Sequence, residues 1–293
     1  MNIQWYPGHM SKARKLILEN LKLVDIVIEI LDARIPYSSK NPDIDKLAAG
    51  KKRIIVMNKS DLADSKITSL WINYFNEQGY SAIEVNSING KGVLQVEKLA
   101  RELLKEKIER DKNRGRIFRP IRAMVVGIPN VGKSTFINKL VGKSSAKTGD
   151  RPVVTKGKQL IKIKKDFELL DTPGILWPKF EDKKVGLNLA YIGSIRQEIL
   201  DNYNLSLELL DLLANRFPDS LKERYKLTDI ESKTPTELLT EIGKKRGFLV
   251  KGGEVDYSRT SLMILDELRA GKLGYISLES PEDIEKDKAN NNL

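Results

Sequence analysis

Gly127-Ile-Pro-Asn-Val-Gly132-Lys133-Ser134 fits the spacing G-x-x-x-x-G-K-[ST] in full. It lies between a short β-rich run at residues 124–126 and a helical pattern at 133–140. The glycines let successive backbone N–H groups turn inward around an anion, at a helix start whose dipole favours negative charge. Asn130, Val131, Gly132, Lys133, Ser134 and Thr135 are therefore the candidate phosphate ligands. Lys133 can reach β- and γ-phosphates, which makes it a catalytic candidate, and the Ser134 hydroxyl can ligate Mg²⁺.

Two further motifs bear on a nucleotide. Asp171-Thr-Pro-Gly174 follows an apolar run at 167–170. A carboxylate there can hold Mg²⁺ through water, and the Gly174 N–H can donate to a γ-phosphate, so Gly174 is a second catalytic candidate. Asn58-Lys59-Ser60-Asp61 ends another apolar run, residues 54–57. The Asp61 carboxylate can accept from both N1–H and the 2-amino group of guanine, a donor pair that adenine lacks. Asn58 and Lys59 are expected to brace the base and the neighbouring loops. Asn86-Ser87-Ile88, after a third run at 82–85, is expected to back this up with a backbone N–H to the guanine O6. An ordinary polar turn accounts for Ser87 equally well.

These motifs need strands to hold them. β-rich runs at 24–31, 54–57, 82–85, 124–126, 159–163 and 167–170 alternate with helical patterns at 11–22, 65–78, 93–110 and 133–140. Such alternation predicts an α/β domain over residues 1–178, with a mostly parallel, doubly wound sheet. Beyond it the pattern is helical, at 185–194, 205–215, 219–226, 235–245 and 258–270. An all-helical domain is expected over 179–280 and a polar, frayed tail over 281–293.

The order of the motifs is informative. In the usual GTPase the phosphate loop comes first and N-K-x-D near the end, whereas here 58–61 precedes 127–134. A fold tolerates new termini when its old ends are joined by a linker. The basic stretch 111–119 can serve as that linker. The expected fold is thus a circularly permuted P-loop GTPase domain followed by an all-helical C-terminal domain. The chain then leaves the GTPase domain straight after the 171–174 loop, so nucleotide state is expected to reposition residues 179–293.

Composition removes other classes. The 293 residues hold 51 Lys+Arg against 40 Asp+Glu, no Cys and one His. There is no disulfide frame, no Cys-ligated zinc and no cysteine nucleophile, and a Ser-His-Asp triad is a poor reading. No apolar stretch reaches the roughly 18 residues of a membrane span, and the first residues lack a signal-peptide pattern. A cytoplasmic protein without a membrane partner is expected. The charge is uneven. Residues 1–178 hold 33 Lys+Arg and 19 Asp+Glu, and residues 179–293 hold 18 and 21. From 139 to 165 nine basic residues stand against one acid, Asp150. Lys156, Lys158 and Lys162 in that run, with Lys12, Arg14 and Lys15 in the first helix, are the RNA-contact candidates; a solvated basic face is the plainer reading.

Trp5-Tyr-Pro-Gly-His-Met10, Asp32-Ala-Arg-Ile-Pro36 and the three nucleotide motifs together resemble the circularly permuted GTPases of ribosome assembly. The nearest resemblance is to the bacterial ribosome biogenesis GTPase A family, over nearly the full chain. It implies GTP/GDP and Mg²⁺ as ligands and hydrolysis stimulated by the large ribosomal subunit. It also implies binding to rRNA, with ribosomal proteins as further contacts, and a role in late maturation. A monomer is expected off the ribosome. The resemblance matches Asn130 to the asparagine that holds K⁺ near the phosphates in potassium-stimulated GTPases; a brace within the loop is the other reading. Thr155, in Pro152-Val-Val-Thr-Lys-Gly157, looks like the switch threonine that ligates Mg²⁺ in the GTP state. Thr148 is a rival that lacks the following glycine.

Many GTPases carry a glutamine just after D-x-x-G to orient the attacking water. Ile175 occupies that position here, followed by Leu176, and neither can hydrogen-bond a water. Weak intrinsic turnover is expected, with the missing group supplied from elsewhere. His9, the sole histidine, has a pKa class suited to positioning water or moving a proton near neutral pH. An RNA-contacting or structural histidine is the equal alternative. A regulatory GTP-binding RNA module with negligible turnover is the second reading of the whole chain. A GTP-dependent RNA-modifying enzyme is the third, without a catalytic constellation in the helical region to support it.

Overall fold

The computed structural model describes residues 8–115, 119–148, 160–177, 180 and 182–291. The chain divides into two units, one made of the residues up to Phe180 together with Ser277–Leu293, the other of Glu181–Ile276. Elements of the first unit run α1 (Gly8–Leu21), β1 (Ile26–Asp32), α2 (Pro36–Ser39), α3 (Pro42–Leu47), β2 (Lys52–Asn58), α4 (Ser65–Glu77) and β3 (Ser81–Val85). They continue with α5 (Val93–Leu103), α6 (Lys105–Asn113), β4 (Ile121–Val126), α7 (Lys133–Thr148), β5 (Leu160–Lys164) and β6 (Phe167–Asp171).

β1 is buried at every position, and β2 and β4 nearly so, as mostly apolar runs require when helices cover both faces of a sheet; the buried Glu29 of β1 is met by Arg53 of β2 at 3.0 Å. The six strands lie in the order β3-β2-β1-β4-β6-β5. All neighbours are parallel except β5, which pairs antiparallel with β6 at the edge. Renumbered from β4, the strand that feeds the phosphate loop, the order becomes 2-3-1-4-5-6, so a rotated chain order is compatible with one continuous sheet. Asp25, just before β1, joins the two sides of the permutation linker: Lys107 pairs with it at 2.6 Å, Arg119 pairs with it too, and the Arg122 N–H donates to it at 3.0 Å.

Two local features depart from the expected pattern. The helix expected over 93–110 breaks at Leu104 (φ −102°, ψ 3°), because α5 buries Val93, Val96 and Ala100 whereas α6 buries nothing. The turns after β1 contain two short helices, each opened by a proline at its first turn, Pro36 and Pro42.

The second unit is helical: α8 (Lys183–Tyr191), α9 (Asn202–Arg216), α10 (Pro218–Tyr225), α11 (Pro235–Lys245) and α12 (Tyr257–Arg269). Side chains of Asp182, Asp201, Thr234 and Asp256 cap four of these five helices, and Pro218 opens the fifth. Leu205, Leu209, Leu213, Leu238, Ile242, Ile264 and Leu265 form its core, each fully buried.

The tail behaves differently from the frayed segment expected. Residues 281–291 form α13 (Pro281–Asn291), and its Ile284, 4% exposed, packs in a core cluster with Trp71, Phe75, Ile55 and Met57 of the first unit. One buried isoleucine facing two stacked aromatics outweighs the polar composition around it. The helical unit is therefore an insertion in the first unit's sequence rather than its end. Among the described residues no helix is long and apolar enough to cross a membrane.

Candidate nucleotide site

Five parallel strands end along one edge of the sheet, and ligands of such sheets sit outside the carboxyl ends of the strands. Asp32 closes β1, Asn58 closes β2, Gly127 follows β4 and Asp171 closes β6. The sequence motifs therefore meet although 113 residues separate Asn58 from Asp171.

The phosphate loop folds as its glycines require. Gly132 has φ +94°, and a Cβ there would run into the Asn58 side-chain amide. Asn130 takes the left-handed conformation at φ 63°, which asparagine tolerates better than most residues. Gly174 lies against the same loop: a Cβ on it would approach Lys133 Nζ to 2.8 Å and Pro129 N to 2.9 Å. A cavity of about 510 Å³ lies between Pro129, Asn130, Lys133 and Ser134, residues 171–174, and Leu16 and Asn20 of α1.

Lys133 is 8% exposed, and its ammonium donates to Gly127 O at 3.1 Å and Ile128 O at 2.7 Å. Burial pushes its pKa down to about 8, with nearby Asp171 opposing the shift. Burial raises the Asp171 carboxyl above its ordinary value, although Lys133 favours the charged form. Its Oδ1 is buried without a hydrogen-bond partner. A carboxylate oxygen left unsatisfied in a polar cavity, beside the exposed Ser134, fits a hard cation such as Mg²⁺. No group of three or more acidic or histidine side chains gathers among the described residues. The cation would thus rely on Asp171, Ser134 and the phosphates themselves.

On the base side, Asn58 ties three loops together. Its Nδ2 donates to Val131 O at 2.8 Å, and its Oδ1 accepts from Ser87 N at 3.1 Å and Ser87 Oγ at 2.7 Å. The Ser87 N–H, one of the segment 86–88 expected near the guanine O6, is thus engaged with Asn58. Lys59, in the left-handed region at φ 59°, donates to Asn130 O at 2.7 Å and pairs with Asp32 at 3.0 Å. Asp61 follows in a short 3₁₀ turn and is exposed, free to face a ligand.

Asp32 and Arg34 were visible in the sequence only as part of a resemblance, yet they carry much of this side. Both are almost fully buried, and Arg34 grips Asp32 through Nε at 2.9 Å and Nη2 at 2.9 Å. Burial alone would raise the Asp32 pKa, but Arg34 and Lys59 outweigh it and hold the carboxyl well below the usual range. An Asp–x–Arg pair at the end of a mostly apolar, fully buried strand was the available signal, since a buried charge needs a partner.

Other expected residues stand as follows. Ile175 and Leu176 are buried at 2% and 3%, and Asn41 Nδ2 donates to Ile175 O at 3.2 Å, so this stretch anchors the loop. His9 and Lys12 belong to α1, whose first side chains lie outside the described ones. Arg14 is half exposed at 3.4 Å from Asp43, Lys15 is exposed, and Lys162 is exposed on edge strand β5. Thr155, Lys156 and Lys158 lie outside the described residues.

Comparison with known proteins agrees with this geometry. Residues 122–241 match the family described as 50S ribosome-binding GTPase. The chain is 51% identical over 283 residues to the ribosome biogenesis GTPase A of Bacillus cereus, covering 97% of this chain and 95% of that one. It is 34% identical to the protein of that name from Thermotoga maritima, covering 96% of each. The crystal structure of GNP-bound YlqF from T. maritima is similar with a TM-score of 0.64 at 30% identity, covering 92% of this chain and 99% of that one. A GDP-bound YlqF structure gives 0.67, also at 30% identity, covering 91% and 99%. Similarity of this degree over whole chains, on top of the assembled nucleotide motifs, makes the chain a member of the ribosome biogenesis GTPase A family, a GTPase of ribosome assembly.

Proposed function

We propose that this GTPase works on the large ribosomal subunit in the cytoplasm, binding rRNA in its GTP state and promoting late maturation. One observation carries the reading: a cavity that unites Lys133, Ser134 and an unpartnered Asp171 oxygen lies in a chain whose relatives are named for ribosome biogenesis. Phosphates enter at the start of α7, where Lys133 exchanges its two loop carbonyls for phosphate oxygens. Gly174 can place its N–H toward the γ-phosphate because it lies against Pro129 and Lys133. Asp171 through water, Ser134 and Thr155 would hold Mg²⁺, and Asn130 would hold K⁺. Bound there, the cations would neutralise charge developing on the phosphates in the transition state.

The Ile175 side chain cannot hydrogen-bond an attacking water, so turnover without a partner is slow. His9 is the candidate to position water once the partner binds. His9→Ala should leave GTP affinity intact and reduce subunit-stimulated turnover by about 10²- to 10⁴-fold. Full stimulation in that variant excludes the role and leaves an RNA group or K⁺ as the activator.

Nucleotide-dependent co-sedimentation with purified subunits tests the whole reading. Binding to the large subunit is expected with a non-hydrolysable GTP analogue, weaker with GDP and steeply weakened by salt. Replacing Lys156, Lys158 and Lys162 by glutamine should weaken sedimentation more than GTP binding. Equal losses, or binding indifferent to nucleotide, count against it.

A further inference from the structure

Residues 277–284 form a strap along the base side of the GTPase unit. Glu279, 1% exposed, accepts hydrogen bonds from Tyr37 N at 2.9 Å, from Ser38 N at 3.1 Å and from the Ser38 hydroxyl, so its carboxylate satisfies the open N-terminus of α2. Leu278 N donates to Arg34 O at 2.9 Å, and Trp71 Nε1 donates to Glu279 O at 3.1 Å. Ser277 Oγ accepts from Asp64 N at 3.1 Å, three residues beyond Asp61.

The loop held in this way, residues 32–39, is the one that braces residues 58–61. Ala33 N donates to Asn58 O at 2.8 Å, and Asp32 pairs with Lys59. The Arg34 guanidinium is close enough to Asp61 for their charges to interact. Ser39 Oγ closes the loop by accepting from Asp32 N at 3.1 Å. The strap therefore grips the base-recognition motif at both ends, through residues 32–39 on one side and Asp64 on the other.

We propose that Ser277 and Glu279 are positioning residues of the guanine site, so that affinity for guanine, and its preference over bases lacking the 2-amino group, depend on the seating of the C-terminal strap. The proposal rests on reading residues 58–61 as the guanine site. The helical unit is joined to the first unit by the chain at two places, after the 171–174 loop and at the strap.

The test uses the full chain and two ligands, GDP and inosine diphosphate, which differ only in the 2-amino group that Asp61 is built to accept. Glu279→Ala should weaken GDP binding by about tenfold and IDP binding by less, so that the GDP-to-IDP preference falls. Ser277→Ala should shift the preference in the same direction by a smaller factor, and it carries the test if Glu279→Ala does not fold. Ile163→Ala, buried on edge strand β5 away from the strap and from residues 32–39, should lower the melting temperature and leave the preference unchanged. An unchanged preference in the Glu279 and Ser277 variants, or an equal loss in Ile163→Ala, overturns the proposal. A wild-type protein that binds IDP as tightly as GDP overturns the guanine reading itself and the strap with it.

Discussion

Asp61→Asn is expected to weaken GDP and GTP binding by on the order of 10²- to 10⁴-fold, because two hydrogen bonds to a charged acceptor, each worth about 1.5–3 kcal/mol, are lost or inverted. An asparagine Oδ1 still accepts from N1–H, but its Nδ2 meets the guanine 2-amino group donor to donor. Xanthine carries a carbonyl at that position, so the same variant should gain affinity for xanthosine diphosphate. The gain matters as much as the loss, since general damage to the site cannot produce it. Asp61 is exposed at the tip of its turn, so the substitution costs little stability. Titrations with GDP and XDP settle the matter; retained GDP preference within about threefold, far short of the expected bond loss, would sink the assignment.

The second large effect belongs to Lys133. Lys133→Met keeps the aliphatic stem and removes the buried ammonium, and GTP turnover should fall by about 10²- to 10³-fold, the scale of losing one preorganised donor to the transition state. Stability should move the other way. In the unliganded protein burial holds the Lys133 pKa near 8, below its ordinary 10.5. Folding therefore releases a proton between these values, and the group's unfavourable contribution is full below pH 8 and relieved as pH rises toward 10.5. The methionine variant escapes that cost at neutral pH and should melt no lower than wild type. Nucleotide affinity carries a matching signature. Phosphate binds the ammonium form, so wild-type GDP affinity should be flat below pH 8 and decline above it, approaching tenfold per pH unit. The decline should vanish in Lys133→Met. Single-turnover hydrolysis, thermal melts and GDP titrations from pH 7 to about 9.5 measure all three. A pH-independent wild type would show that burial does not depress the Lys133 ammonium, and wild-type GDP affinity in Lys133→Met would show that the ammonium is not the phosphate ligand.

Much of the site was written locally in the chain. G-x-x-x-x-G-K-S, D-T-P-G and N-K-S-D each specify their own backbone: glycines where φ is positive or a neighbour presses close, and apolar runs that make the strands ending there. Their inverted order already pointed to a permuted sheet, because strand neighbours follow from packing and not from chain order. The same local logic located the helices of the second unit, whose caps lie within three residues of the groups they satisfy.

What only the tertiary structure decided involves partners far apart in sequence. Asn58 meets Val131 across 73 residues, and it claims the Ser87 N–H that local reasoning had offered to the base. Asp32 is stabilised jointly by a neighbour, Arg34, and by Lys59 from the next strand, which no spacing rule links. The tail is the clearest case. Its composition is polar, and a polar terminus frays unless something ties it down. The tie is Glu279 against Tyr37 and Ser38, more than 240 residues away, together with Ile284 beside Trp71. Local propensity determined which segments could be strand, turn or helix. The burial of a few charges and one isoleucine, available only once the chain had closed on itself, determined that the last seventeen residues belong to the nucleotide-binding unit.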